Sequence, residues 1–153
     1  MTASSKKVNR QDNIMLYLEH LNLVVNDIPS ALTFYQAAFP HWRIRDHGES
    51  EWYGKQRKWL HFGDDYQYLT FNDNGNGDNR DLVGHQPGLA HFAFVTGNID
   101  AVIERLATAG FPVDKEGADE PFRKNAYFID PAGFEVEFVE YLSDIPEQRN
   151  LSS

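Results

Sequence analysis

The chain has 153 residues, with 23 Asp+Glu against 14 Lys+Arg, a formal charge of −9 and no cysteine. The length suits one domain with its own core, and the charge sets the chain against phosphate backbones and anionic lipid surfaces, so neither nucleic acid nor a membrane is expected as a partner. Without cysteine there are no disulfides and no thiolate ligands, so a metal would need His and carboxylate, which makes the six histidines the main chemical clue.

No window approaches the roughly 18 apolar residues of a bilayer span, and residues 1–13 are polar without the apolar core of a leader, so a cytoplasmic location is expected. Residues 1–13 read as an N-terminal tail and 143–153 as a C-terminal one. Residues 14–142 read as a single domain of two modules, about 16–72 and about 89–142, joined by a linker over 73–88 rich in Asn, Asp and Gly.

The two modules repeat one another. Superimposing Leu18 on Leu89 also places His20 on His91, Val24 on Val95, Ile28 on Ile99 and Ala38 on Ala109. In chain order, a strand over Tyr17–Val25 precedes Asp27, an N-cap residue, and a helix with apolar positions at Ala31, Leu32, Tyr35 and Ala38. Strand-like runs follow at Trp42–Arg45, Lys58–Phe62 and Gln67–Phe71. The second module repeats the order. A strand over Leu89–Thr96 leads to Asn98 as N-cap and a helix with Val102, Ile103, Leu106 and Ala109 on one face, stopped by Gly110. Strand-like runs at Pro112–Lys115, Ala126–Ile129 and Glu135–Tyr141 complete it. The expected class is α+β, with two paired βαβββ modules forming an open, curved mixed-sheet cleft.

Strand alternation puts His20 on one face with Leu18, Asn22 and Val24, and His91 with Ala93 and Val95. In the last strand Phe134, Val136 and Phe138 point one way, leaving Glu135, Glu137 and Val139 on the other. Two imidazoles and a carboxylate suit a divalent ion, because they leave coordination positions open for substrate or oxygen. The plainer alternative is that each His packs at a sheet surface and Glu137 is a solvated strand residue.

The run Asp130-Pro-Ala-Gly-Phe-Glu-Val-Glu137 resembles the hairpin signature of the vicinal oxygen chelate superfamily, which contains glyoxalase I, fosfomycin- and bleomycin-resistance proteins and extradiol dioxygenases. Glu19-His20-Leu21-Asn22, Phe34-Tyr35 and Gly88-Leu89-Ala90-His91 match the same pattern. The resemblance implies His20, His91 and Glu137 as ligands of one divalent ion (Fe, Mn, Ni or Zn), a small-molecule substrate and a homodimer. It leaves open whether His20 meets His91 of its own chain or of a partner.

Glyoxalase I has a fourth, acidic ligand, and the corresponding position here is Thr70, a poor ligand and no base at neutral pH. That departure argues against lactoylglutathione lyase chemistry and leaves three-ligand dioxygenase-like or thiol-transfer chemistry. The alternative is a non-catalytic protein that sequesters a small, antibiotic-type molecule. His61 and Tyr127 are the candidates for acid–base work, and Thr70, Trp59 and Arg123 for substrate binding, with Trp52 and Tyr53 as further wall residues. Three look-alikes fail. The Asn72–Gly77 run lacks the acids of a calcium loop, Gly48-Glu-Ser-Glu-Trp52 lacks the closing glycine of a nucleophile elbow, and Gly75-Asn-Gly77 lacks the third glycine of a dinucleotide loop.

Overall fold

A computed structural model describes residues 16–149; the N-terminal tail 1–13, together with residues 14–15 and 150–153, lies outside the described residues. The element order is β1 (His20–Val24), α1 (Ile28–Ala38), β2 (Arg43–Trp52), β3 (Lys55–Gly63), β4 (Tyr68–Asn72), β5 (Phe92–Val95), α2 (Ile99–Thr108), β6 (Lys115–Glu116), β7 (Arg123–Ile129) and β8 (Glu135–Tyr141). Each module is therefore a strand, a helix and three strands, as the repeat implies. The strands form two four-stranded sheets, ordered β1-β4-β3-β2 and β5-β8-β7-β6. In each, the first strand runs parallel to the last and the remaining pairs are antiparallel.

Local chemistry accounts for the boundaries. Asp27 caps α1 by accepting from the Ser30 amide at 2.9 Å, and Asn98 caps α2 by accepting from Ala101 at 3.1 Å. At the end of α2 the Phe111 amide returns to the Leu106 carbonyl at 2.8 Å, a turn that Gly110 permits with φ +95. The Asp130-Pro-Ala-Gly turn is held by its own first residue, whose carboxylate accepts from the Ala132 and Phe134 amides, each at 2.9 Å.

The buried faces of both helices and both sheets meet in one core. Phe34 is fully buried against Phe111 and Phe128, and Phe39 packs on Phe94 and Phe138. Two polar ties reinforce the join. Tyr35 donates to buried Asp130 at 2.6 Å, and Arg105 on α2 donates to the Ala37 and Ala38 carbonyls at the end of α1, both at 3.0 Å.

Several strand limits differ from the sequence expectation. β2 runs to Trp52 rather than ending at Arg45, through an exposed polar stretch that carries no apolar alternation because the strand lies at a sheet edge. It turns into β3 through Tyr53 and Gly54, both at positive φ, a two-residue hairpin that aromatic Tyr53 disguises in the sequence. β5 begins at Phe92, so His91 stands just before the strand, and β6 is only Lys115–Glu116. At the chain end, Pro146–Gln148 forms a 3-10 turn and Arg149 lies over the Tyr141 ring at 3.9 Å.

Candidate metal centre

Sheet register decides which side chains share a face. In the second sheet Tyr127 pairs with Glu137, and Asn125 with Val139, while Ala93 pairs with Glu137 across the parallel join. Glu137 consequently stands at the middle of the face opposite buried Val136 and Phe138, flanked by His91 on one side and by Asn125 and Tyr127 on the other. Glu137 is 5% exposed. Asn125 donates to Oε1 at 3.0 Å, and Oε2 faces His91 Nε2 at 3.4 Å.

Glu135 lies beyond, 3.7 Å from His91 Nδ1 and 3.2 Å from the Lys115 ammonium. Lys115 also sits over the Tyr127 ring at 4.6 Å, while His91 meets that ring edge-on at 5.4 Å. Burial, followed by the charge of Glu137, pushes the Tyr127 phenol above its ordinary value. Tyr127 is therefore a proton donor and not a phenolate at neutral pH.

On the first sheet His20 stands on the edge strand β1. Its Nδ1 is 2.8 Å from Glu19 Oε1, and a proton shared with that carboxylate leaves Nε2 as the lone-pair nitrogen. Its ring stacks on Tyr68 at 4.7 Å. Burial and the Glu19 carboxylate raise the Tyr68 phenol. His61 stacks on the other side of Tyr68 at 4.8 Å, and partial burial lowers its pKa against the opposing pull of Asp46, so it is a neutral imidazole at pH 7. Asn22 pairs with Thr70 in the first sheet just as Ala93 pairs with Glu137 in the second, which makes Thr70 the structural counterpart of Glu137.

The structure thus brings together His91, Glu137 and Tyr127 on one sheet face, and His20, His61, Thr70 and Trp59 on the other. Arg123 lies on the face of Asn125 and Tyr127, 2.9 Å from Glu120. Among the described residues, no three His, Asp or Glu side chains of the single chain are arranged to hold a metal ion. The donor chemistry nevertheless fits one: Glu137 is buried with one oxygen held by a neutral amide and the other facing an imidazole nitrogen, while the nearby ammonium is engaged by Glu135. Sequence reasoning placed Glu135 on the face of Glu137 without giving it a role, and missed Glu19, Tyr68, Asn125 and Lys115. Asn125 and Tyr68 were within reach of the alternation rule, since Asn125 lies two before Tyr127 and Tyr68 two before Thr70; Glu19 was not, because alternation puts the neighbour of His20 on the opposite face.

A pair of βαβββ modules with a His/carboxylate face defines the class of protein. The model of the Glyoxalase/Bleomycin resistance protein/Dioxygenase superfamily matches residues 17–138, and the chain belongs to that family. Among solved structures it resembles a glyoxylase/bleomycin resistance protein/dioxygenase domain from Frankia sp. EAN1pec, with 20% identity, 90% of this chain and 99% of that chain covered, and TM-score 0.69. It also resembles a variant of the fosfomycin resistance protein FosX from Listeria monocytogenes, complexed with Mn(II) and 1S,2S-dihydroxypropylphosphonic acid; here identity is 19%, coverage 87% and 96%, and TM-score 0.65. A lactoylglutathione lyase from Agrobacterium tumefaciens follows at 22% identity, 81% and 92% coverage and TM-score 0.56. No curated protein matches the chain in sequence.

Proposed function

We propose that this protein is a divalent-metal-dependent enzyme that chelates adjacent oxygens of a small organic substrate through His20, His91 and Glu137. The observation that carries the reading is buried Glu137, with Oε1 tied to Asn125 and Oε2 turned to His91. A bound ion would act as a Lewis acid, stabilising negative charge that develops on the substrate oxygens. Asn125 fixes the carboxylate, Glu19 fixes the tautomer of His20, and neutral His61 is available to take a proton. With Thr70 in place of a second acid, a three-ligand site for dioxygenase-like or thiol-transfer chemistry is favoured over lactoylglutathione lyase.

The three ligands belong together across two copies of the chain. β1 and β5 are both edge strands, and Leu16, Leu18 and Val95, at or beside them, are 91%, 75% and 64% exposed. Unpaired edges with apolar flanks are surfaces that a second copy covers. In that homodimer His20 of one protomer completes the His91 and Glu137 of the other.

The test is metal content of the full chain and of two variants, His20→Ala and Glu137→Ala, alone and after subunit exchange. Each variant alone holds no metal. The exchanged mixture recovers about a quarter of the wild-type content, because half of the dimers are mixed and each has one intact site. No recovery places the site within one chain, and wild-type protein without metal affinity sinks the enzyme reading in favour of a metal-free binding protein.

A further inference from the structure

We infer that Gly117 is a positioning residue for Glu137, acting through the Asn125 carboxamide that it seats. The inference rests on the metal reading above and extends it to a backbone position with no side chain of its own. β6 ends at Glu116, and Gly117 continues its line for one more residue, its amide donating to the Asn125 carbonyl at 3.0 Å. A Cβ built on Gly117 would stand 1.6 Å from Asn125 Oδ1, 2.1 Å from Cγ and 2.7 Å from Nδ2. The carboxamide therefore occupies the volume that any other residue at 117 would fill. Gly117 is not among the glycines with positive φ, so space alone, and not backbone freedom, calls for glycine here.

Two further observations tie this seat to the site rather than to the fold. In it, Nδ2 lies 3.0 Å from Glu137 Oε1 and 3.4 Å from the Tyr127 hydroxyl, while among the described residues no donor reaches Oδ1, which is shut from solvent. A buried carbonyl oxygen left unpaired costs stability, so a carboxamide held this way serves packing poorly and serves to orient a carboxylate well. The first module repeats the device with other contents. Asp46 faces His61 as Lys115 faces Tyr127, and two residues on, Gly48 faces Trp59 as Gly117 faces Asn125. A Cβ on Gly48 would come within 2.7 Å of the Trp59 ring. In each module a glycine on the edge strand makes room for the side chain across from it, and in the second module that side chain is bonded to the candidate ligand. The Cβ of an alanine at 117 meets the free end of a side chain and not backbone, so the chain folds with the carboxamide swung out of its seat and Oε1 of Glu137 released.

The experiment compares Gly117→Ala, Asn125→Ala and the double variant in the full chain, by Mn(II) calorimetry and by NMR of the Asn125 side-chain amide in metal-free protein. That amide signal is assigned by its loss in Asn125→Ala. In the wild type its bond to a carboxylate slows hydrogen exchange at least about tenfold relative to an exposed Asn side chain, and Gly117→Ala abolishes the protection. Mn(II) affinity falls about 10- to 100-fold in Gly117→Ala, and the double variant binds within about twofold of Asn125→Ala, because the amide that Gly117 seats is already gone. Gly97→Ala, at a glycine with nothing within 4 Å of its Cβ, changes neither readout. Should Gly117→Ala alone fail to fold, the double variant, freed of the collision, folds with the affinity of Asn125→Ala; a double variant that fails as well ties Gly117 to the fold and overturns the proposal. Amide protection retained in Gly117→Ala overturns it too, as do penalties that multiply in the double variant. Mn(II) bound equally by wild type and Gly117→Ala leaves the metal reading standing and this one fallen. A wild-type chain that binds no Mn(II), yet loses its amide protection in Gly117→Ala, does the reverse.

Discussion

In the first sheet the strand beside the leading histidine carries Tyr68 and Thr70; in the second sheet the equivalent strand carries Glu135 and Glu137. The next strand carries His61 opposite Thr70 in one case and Tyr127 opposite Glu137 in the other. Register is the same while chemistry is not. One face is aromatic with the Arg45 guanidinium over one of its rings, and the other is acidic with an ammonium and an amide. The repeat therefore supplies positions, and each position is filled on its own terms. Among the described residues neither face alone has three metal donors in line, so the proposed site draws on both kinds of face.

The comparison is broken most directly at Glu137. Glu137→Ala is expected to weaken Mn(II) binding by more than about 100-fold, read by calorimetry, and unchanged affinity would remove the acidic face from the site. Asn125→Ala is the next largest, at about 10- to 100-fold, because Glu137 Oε1 loses the amide that orients it while circular dichroism stays native. At the tie between the modules, Tyr35→Phe should cost about 1.5–3 kcal/mol at pH 7 in urea unfolding, since the lost bond is to a carboxylate.

That cost depends on pH in a defined direction. Burial raises Asp130 above the ordinary 3.8, against the lowering effect of the Tyr35 hydroxyl and its own turn amides. The folded state therefore binds this proton before the unfolded one does, so the contribution of Asp130 to stability falls as pH rises through its raised pKa. Removing the hydroxyl raises that pKa further, and the deficit of Tyr35→Phe shrinks on acidification toward pH 4. A deficit that grows instead would show that Asp130 is not the partner that matters. Smallest of all, Thr70→Val should change Mn(II) affinity by less than about threefold, sharpening the claim that the counterpart of Glu137 is not a ligand.

The repeat, the caps at Asp27 and Asn98 and the turn at Asp130 were legible because each depends on contacts within a few residues. β2 was legible only as far as Arg45, since beyond it an edge strand with polar residues on both faces has no alternation to read. Of the candidate site, the pairing of His91 with Glu137 follows from strand position. The bond from Asn125 depends on cross-strand register, and the distance from His20 to the other two proposed ligands depends on how the sheets pack, which no periodicity encodes.

The bond from Tyr35 to Asp130 spans 95 residues, and Arg105 closes the end of the first helix from the second. Although the chain is written as a duplication, each copy leaves part of its interior to be completed by the other: Phe34 of the first finds Phe111 and Phe128 of the second. The molecule is in consequence one cooperative unit. Urea should melt both sheets in a single transition, and a fragment cut in the linker should remain unfolded, so the two modules can diverge in chemistry only as far as their shared interior allows.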